Sequence, residues 1–292
     1  MKTVLLVAVA FTLSGAAPVA AGHPSSLSYS MPSWSLDGKS IAFVGGGARD
    51  LFVMNADGSG IRKLTNSSRI GASTNYNARF PTWSPDSRKI AFGYGLSGIC
   101  VIDADGSGFH RISDTGDLPA WSPGGKKIAY VEIAETSGGR IYVMRPDGSG
   151  KQLVASPTEL RSFEAPAWSP DGERLAFAVT SAPDTDVLPG HLGVVSRFRG
   201  RVRVFLRGSN PFPWSWRGTR IAVAYDPITN DNDWLSHVRV GIFDTRTNTL
   251  KSLHRGDHPS WSPNGRRLVF RYQGNIWVIN ANGTGARPLT HT

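Results

Sequence analysis

The chain has 292 residues, of which 40% are hydrophobic and 18% charged, and its formal net charge is +10. A chain of this length and apolar content can bury a large core, so the composition excludes a disordered protein. The cations are scattered along the chain without a run of five or more, which is typical of a solvated surface and does not predict nucleic-acid binding.

The first predicted element is a signal peptide over residues 1–21. A charge at Lys2 precedes an apolar stretch from Val4 to Leu13, and the small residues that follow fit a cleavage site near Ala21. The alternative is a buried N-terminal strand, but this stretch has no counterpart in the repeats that follow it. We therefore expect a secreted or periplasmic protein. Since no later stretch approaches the roughly 18 apolar residues of a spanning helix, we expect no membrane span.

Six copies of one unit fill residues 25–292. Each copy begins with a tryptophan, a serine and a turn, at a spacing of roughly 40 to 50 residues, which suits a four-stranded propeller blade. The turn often reads Ser-Pro-Asp-Gly, in which proline presets one φ and glycine tolerates a positive φ, so the first two strands join tightly. The six tryptophans are Trp34, Trp83, Trp121, Trp168, Trp214 and Trp261.

Three more predicted strands follow each turn. The second is apolar on both faces, as in Ile41-Ala-Phe-Val, which a strand between neighbouring blades requires. A hairpin such as Asn55-Ala-Asp-Gly-Ser-Gly joins the third strand to the fourth. The pattern predicts an all-β fold, a six-bladed β-propeller of four-stranded antiparallel blades. We expect the sixth blade to pack on the first without exchanging a strand, and residues 287–292 to form only an outer edge strand.

The order of these motifs resembles the WD-like repeat of the TolB family, and the resemblance covers essentially all of the chain after the signal peptide. TolB proper carries an α/β domain between its signal peptide and its propeller, whereas the first repeat here starts almost at once. The resemblance therefore implies a TolB-like scaffold role and does not extend to membership of the Tol-Pal envelope complex.

Three sequence patterns could carry chemistry. The segment from Asp103 to Gly108 alternates oxygen ligands like part of a calcium loop, but it lacks the distal bidentate glutamate and is better explained as a tight hairpin. His254 and His258 flank Asp257 and could seed a metal site if another loop supplied a ligand. No G-x-S-x-G pentad is present for a serine nucleophile. We expect no metal, no cofactor and no catalytic residue.

The two faces of the predicted disc differ. Because strand direction alternates, one face carries the turns between first and second strands and the hairpins between third and fourth strands; we call it the hairpin face. The opposite face, the loop face, carries the loops between second and third strands and the links between blades. The long insertions fall on the loop face, and such loops are where function usually sits. We therefore predict that a partner docks on the loop face.

The candidate binding residues lie at the loop-face end of the channel and in the long loop of the fifth unit. The residue four before each repeated tryptophan is polar, so a polar ring should surround the channel mouth. A watery channel needs a polar lining whatever its function, which leaves the ring open to a purely structural explanation. The ring and the nearby loop residues are Ser30, Arg79, Asp117, Glu164, Asn210 and Asp257, with His258, Asp231, Asp233 and Trp234.

Two functions fit this site. The first is a non-catalytic extracytoplasmic scaffold, a monomer that binds a protein segment or an anionic cell-envelope polymer at the loop face and does not bind nucleic acid. The alternative is an enzyme acting on a glycan or small molecule, with acid and base among Asp117, Glu164 and Asp257. Nothing in the sequence singles out one carboxylate pair, which favours the scaffold.

Overall fold

The computed structural model describes residues 28–46, 49–66, 77–95, 98–134, 137–157, 161–181, 191–196, 202–207, 212–227 and 237–291. These ranges contain 24 strands in six separate four-stranded antiparallel sheets, which confirms the all-β, six-bladed β-propeller. The predicted signal peptide over residues 1–21 lies outside the described residues, as do Asn210, Asp231, Asp233 and Trp234.

Each blade takes four consecutive strands, and the first strands of blades 1, 2, 3, 4 and 6 line the channel. Blade 1 contains β1 (Tyr29–Trp34), β2 (Ser40–Gly45), β3 (Asp50–Asn55) and β4 (Arg62–Lys63). Blade 2 contains β5 (Ala78–Trp83), β6 (Lys89–Tyr94), β7 (Ile99–Asp103) and β8 (His110–Ser113). Blade 3 contains β9 (Asp117–Trp121), β10 (Ile128–Ala134), β11 (Ser137–Met144) and β12 (Gln152–Ala155).

The second half of the ring repeats the same order. Blade 4 contains β13 (Arg161–Trp168), β14 (Arg174–Ser181), β15 (His191–Ser196) and β16 (Arg203–Arg207). Blade 5 contains β17 (Phe212–Arg217), β18 (Arg220–Tyr225), β19 (Arg239–Asp244) and β20 (Thr249–Arg255). Blade 6 contains β21 (Asp257–Trp261), β22 (Arg267–Tyr272), β23 (Asn275–Asn280) and β24 (Arg287–Pro288).

A buried serine organises the turn between the first two strands of a blade. In blade 1 the Ser35 hydroxyl accepts a hydrogen bond from the Ser40 amide at 2.9 Å and donates to the Asp37 carboxylate at 2.6 Å. That carboxylate also accepts from the Lys39 amide, and Gly38 has a φ of 75°. The Trp-Ser-Pro-Asp-Gly motif is thus a self-contained turn, in which the serine satisfies a backbone amide that water does not reach.

The repeated tryptophans join neighbouring blades. The Trp83 indole donates to the Ser33 carbonyl of blade 1 at 3.0 Å, and the Trp168 indole donates to the Ala120 carbonyl of blade 3 at 3.0 Å. The second strands of blades 1, 2 and 5 are buried on both faces by the neighbouring blades, as their apolar sequences predict. In blades 2 and 4 the tryptophan therefore adds a directional bond to a contact that is otherwise apolar. In three other blades the indole nitrogen is buried without a hydrogen-bond partner among the described residues, so there the tryptophan contributes packing without this bond. These three are Trp34, Trp121 and Trp261.

The ring closes by packing blade 6 against blade 1. The Tyr29 amide donates to the Gly274 carbonyl at 2.7 Å, and the Trp34 amide donates to the Ser260 hydroxyl at 3.1 Å. Apolar side chains of both blades, including Phe43 and Val278, form one buried cluster across this seam. Each blade keeps its own four strands, so the expected closure without strand exchange is confirmed.

The end of the chain does more than the sequence predicts. Leu289 is buried in the seam cluster, and Thr290 is buried with its hydroxyl accepting a hydrogen bond from the Ile276 amide at 2.9 Å. The expectation that residues 287–292 form only an edge strand is therefore wrong, because the two residues after β24 fold back onto the core.

Strand pairing also corrects the fifth repeat. Trp216 lies opposite Ile221, as Trp261 lies opposite Leu268 in blade 6, so the repeated tryptophan of blade 5 is Trp216 and not Trp214. The hydroxyl just before it confirms this register, since Ser215 accepts a hydrogen bond from the Trp261 amide, as Ser260 does from Trp34. The turn that follows is shorter by two residues than in the other blades.

Candidate functional site

The innermost strand carries the same bulge in five blades. In blade 1, Ser30 pairs with Val44 and Ser33 with Ala42, so Met31 and Pro32 together face a single residue of β2. The first bulge residue takes the left-handed backbone conformation, and the proline after it has no N–H that would need a ladder partner. These residues and their φ angles are Met31 (54°), Phe80 (50°), Leu118 (54°), Ala165 (48°) and His258 (53°).

The bulges form the wall of the channel. The five left-handed residues and the prolines that follow them line a cavity of about 80 Å³ at the centre of the ring. The Phe80 ring stacks on the His258 ring, with centroids 6.0 Å apart and planes 22° from parallel. Four of the five left-handed side chains at this constriction are apolar and the fifth is an imidazole, whereas the sequence predicts only a polar ring at this end of the first strands.

Two of the predicted ring residues form an ion pair between blades 2 and 3. Arg79 Nε donates to Asp117 Oδ2 at 2.9 Å, and Arg79 Nη1 donates to the Gly95 carbonyl at 2.6 Å. The pair depends on Gly93, because a Cβ there would overlap Asp117 Oδ1. Burial raises the pKa of Asp117, although Arg79 opposes this shift.

The other two ring carboxylates are held by side chains of their own blades. The Thr180 hydroxyl donates to Glu164 Oε1 at 3.1 Å, and burial raises the pKa of Glu164 despite this bond. In blade 6, Arg271 Nη1 lies 3.2 Å from Asp257 Oδ2 and His258 Nδ1 lies 2.9 Å from Asp257 Oδ1. Burial alone would raise the pKa of Asp257, but His258 and Arg271 outweigh it and hold the pKa below its usual value.

The ring is not a uniform set of six polar residues. Ser30 takes the equivalent position in blade 1 and is half-buried. In blade 5 the corrected register puts Phe212 at this position, since it pairs with Ala224 as Asp257 pairs with Arg271. The predicted ring residue Asn210 lies outside the described residues, so its place at the mouth stays a prediction.

His254 and His258 are close in sequence, but their side chains do not meet at one site. His254 stacks among Phe270, Tyr272 and Trp277 on the outer side of the blade, whereas His258 lines the channel. Among the described residues, no three His, Cys, Asp or Glu side chains cluster as metal ligands would. The calcium-like hairpins use their acidic side chain locally, as in Asp105, whose carboxylate accepts from the Ser107 amide and hydroxyl.

Sequence reasoning missed the residues that form the constriction. The available signal is the proline two positions before most of the repeated tryptophans, because the residue before each of these prolines is the one that enters the channel. The sequence shows Phe80 and His258 in equivalent places, but only the closed ring brings blades 2 and 6 across the channel from each other.

Comparison with known proteins supports a relation to TolB. No family model matches the chain. A segment of 101 residues is 42% identical to the Tol-Pal system protein TolB of Gluconobacter oxydans, covering 32% of this chain and 22% of that protein. The fold is similar to that of TolB from Acinetobacter baumannii, with a TM-score of 0.61 and 19% identity over 88% of this chain and 61% of that one.

An enzyme shares the architecture as well. An oligogalacturonate lyase solved with manganese has a TM-score of 0.53 and 12% identity over 84% of this chain and 86% of the lyase. Identity this low shows a common fold alone. Within the part of the chain that the structure describes, no helix has the length and apolar character to cross a membrane. The chain is a six-bladed β-propeller that is similar to TolB in part of its sequence and in its fold.

Proposed function

We propose that the chain is a non-catalytic, exported scaffold of the TolB-like type that binds an extended segment of a partner protein at the loop face, with one side chain entering the channel. The observation that carries the proposal is the mouth itself, where Arg79 of β5 pairs with Asp117. The next residue, Phe80, stacks on His258. Arginine and aromatic side chains supply most of the binding energy at protein interfaces.

The dimensions of the constriction favour a segment over a folded domain. A cavity of about 80 Å³ admits a single side chain, so the rest of the partner has to lie across the loop face. The curated relative is named for the Tol-Pal system, and a role in a system of proteins agrees with a protein partner.

The ring carboxylates favour binding over catalysis. Asp117 is paired with Arg79, Glu164 accepts from Thr180, and Asp257 contacts Arg271. Each carboxylate belongs to a different blade and is engaged by its own partner. A general acid and base would instead flank one scissile bond, roughly 5–10 Å apart.

Export is part of the proposal, because a scaffold for envelope proteins has to meet them outside the cytoplasm. The stretch from Lys2 to Ala21 supplies the signal. Mass spectrometry of the protein from its native host should find a mature chain that starts after about residue 21. An intact Met1 terminus on a cytosolic protein would contradict export.

A second candidate is an enzyme that uses the channel carboxylates. The observation in its favour is that burial raises the pKa of both Asp117 and Glu164, a property of general acids. A lyase with the same fold adds a precedent for the architecture. If the chain turned over an oligosaccharide, and if Asp117→Asn and Glu164→Gln each abolished turnover without unfolding the protein, the scaffold proposal would fail.

Site-specific crosslinking tests the scaffold. A photoreactive phenylalanine analogue at Phe80, in the channel, is compared with the same analogue at Phe109, which is 42% exposed on the outer edge of blade 2. The Phe80 probe should capture a partner from the native envelope that the Phe109 probe does not.

Affinity measurements with that purified partner complete the test. Phe80→Ala and Arg79→Ala should each weaken binding by about 30-fold, equivalent to roughly 2 kcal/mol, whereas Phe109→Ala should have little effect. Loss of affinity in Phe109→Ala with full affinity in Phe80→Ala would place the partner elsewhere and contradict the proposal.

A further inference from the structure

Blades 5 and 6 gather exposed cations at the hairpin face. They stand on the turns and strand ends of these two blades, and we call them the basic patch. All seven side chains are exposed. The basic patch consists of Arg217, Arg220, Arg246, Lys251, Arg266, Arg267 and Arg287.

In the turns of blade 6, amides stand where other blades carry carboxylates. The turns of blades 1, 2 and 4 use Asp37, Asp86 and Asp171 to accept backbone hydrogen bonds. In blade 6, Asn264 accepts the same bond from the Arg266 amide at 3.0 Å, and Asn282 does so from the Thr284 amide. Asparagine keeps the turn geometry and removes the negative charge.

Few carboxylates remain near the patch. Asp244 stands beside Arg246, but its oxygen accepts hydrogen bonds from the Arg246 and Thr247 amides. No member of the basic patch forms an ion pair within 4 Å with a carboxylate of the described residues. Two carboxylates interact electrostatically with the patch, Asp57 of blade 1 with Arg287 and Asp244 with Arg246. The seven cations outnumber them, so the patch keeps an excess of positive charge, which attracts anions.

Contacts between the two blades make the patch continuous. Arg217 of the blade 5 turn packs against Gly265 of the blade 6 turn, and Lys251 Nζ donates to the Asn282 carbonyl of blade 6 at 2.9 Å. The Arg220 guanidinium lies 5.3 Å from the centre of the Trp261 ring. These contacts hold cations of both blades next to one another on the same face.

The border of the patch is apolar. Leu36 replaces the proline of the turn in blade 1 and is 48% exposed. Its turn adjoins blade 6, because Gly38 packs against Pro263. An exposed leucine beside arginines is the combination that an interfacial lipid surface binds, with phosphates on the cations and the leucine among the headgroups.

We propose that the basic patch docks the hairpin face onto a bilayer of anionic phospholipids. The turns of the two blades stand on the same face of the disc, so cations of both blades are available to one layer of phosphates. The guanidinium group suits phosphate oxygens because its donors form a fork. This surface is on the opposite side of the disc from the site of the proposed function and does not depend on it.

The test is co-sedimentation of the full chain with vesicles. Vesicles containing about a third phosphatidylglycerol are compared with pure phosphatidylcholine at low salt. The variant Arg217→Gln/Arg246→Gln/Arg266→Gln should bind the anionic vesicles about 100-fold more weakly, at about fivefold per arginine. The control Lys39→Gln/Arg88→Gln/Lys126→Gln loses the same charge from the hairpin face of blades 1 to 3 and should lose less than about fivefold.

Soluble polyphosphate separates the lipid surface from a free polyanion. Leu36→Ser should weaken binding to vesicles and leave retention on polyphosphate unchanged, and Phe80→Ala should change neither. If the two triple variants lost equal affinity for anionic vesicles, binding would depend only on net charge and the proposal would be overturned. Binding to polyphosphate without binding to anionic vesicles would assign the patch to a soluble polymer and overturn it as well.

Discussion

Ala165 adopts a φ of 48° in the bulge of blade 4, and Ala167, two residues later in β13, is not among the residues with positive φ. A left-handed backbone costs an L-residue about 1–2 kcal/mol, which glycine avoids. Ala165→Gly should therefore leave the free energy of unfolding unchanged or raise it by up to about 1 kcal/mol. Ala167→Gly, equally buried, should lower it by about 1 kcal/mol. Urea denaturation measures both, and equal losses would show that the bulge stores no strain.

Gly93 is the residue on which the Arg79–Asp117 ion pair depends. A methyl group at this position would overlap Asp117 Oδ1, so Gly93→Ala should lower the free energy of unfolding by about 1–3 kcal/mol. Gly124→Ala is the matched control, since nothing lies within 4 Å of a Cβ there, and it should stay within about 0.5 kcal/mol of the native chain. Asp117→Ser in the Gly93→Ala background should restore part of the loss. If Gly93→Ala proved as mild as the control, the packing argument would be wrong.

Glu164 should make the stability of the fold depend on pH, and the direction of its pKa shift sets the sign of that dependence. Burial raises the pKa of its carboxyl above the value in the unfolded chain, so the ionised form destabilises the fold and the cost disappears as pH falls through the raised pKa. Glu164→Gln should therefore have a higher melting temperature than the native chain at about pH 8, with the difference shrinking toward about pH 4. A difference that grew on acidification would have the opposite sign and contradict the argument.

At the scale of the element, the turn between first and second strands rests on one buried hydroxyl. Ser35→Ala leaves the Ser40 amide without its acceptor, and the free energy of unfolding should fall by about 1–3 kcal/mol. Ser59→Ala removes a hydroxyl from an exposed hairpin, where water can replace it, and should change stability little. Thermal unfolding of the two variants distinguishes them, and similar losses would mean that burial of the serine is unimportant.

The sequence predicts these elements well wherever local chemistry defines them. The turn motif, the apolar second strand and the Asp-Gly-Ser-Gly hairpin each specify their own geometry, so six blades and their order follow from the repeat. The fifth register does not follow, because Trp214 stands at the repeat spacing from Ile221 while strand pairing uses Trp216. The sequence alone allows either tryptophan to be the repeated one. Trp214 would keep the seven-residue spacing to Ile221, whereas Trp216 requires a two-residue turn, and only pairing with the partner strand distinguishes them.

The binding site is less predictable for a related reason. Five of the predicted polar residues stand at equivalent positions of their first strands. Arg79 and Asp117 pair with each other, the other two carboxylates contact side chains of their own blades, and the constriction comes from a bulge. A bulge depends on cross-strand register, and the stacking of Phe80 on His258 depends on closure of the whole ring. Neither is a property of a single repeat.

At the scale of the whole molecule, stability depends on the seam between blades 1 and 6. Leu289 is buried in the cluster that joins them, and Leu289→Ala should lower the free energy of unfolding by about 2–4 kcal/mol. Leu153, on the outer strand of blade 3, is 47% exposed, and Leu153→Ala should cost about 0.5 kcal/mol. If the two variants unfolded at the same urea concentration, the chain end would contribute nothing to closure.

The constriction at the channel centre also bears on whether the two faces of the disc can bind partners at the same time. A cavity of about 80 Å³ has room for about one side chain and not for a length of polypeptide. If a partner segment binds at the mouth and a bilayer binds the opposite turns, as we propose, the disc separates the two. Their binding free energies then add as long as neither site changes the conformation of the other. The protein would act as a bivalent spacer, forming a ternary assembly whose thickness is set by the length of one β-strand.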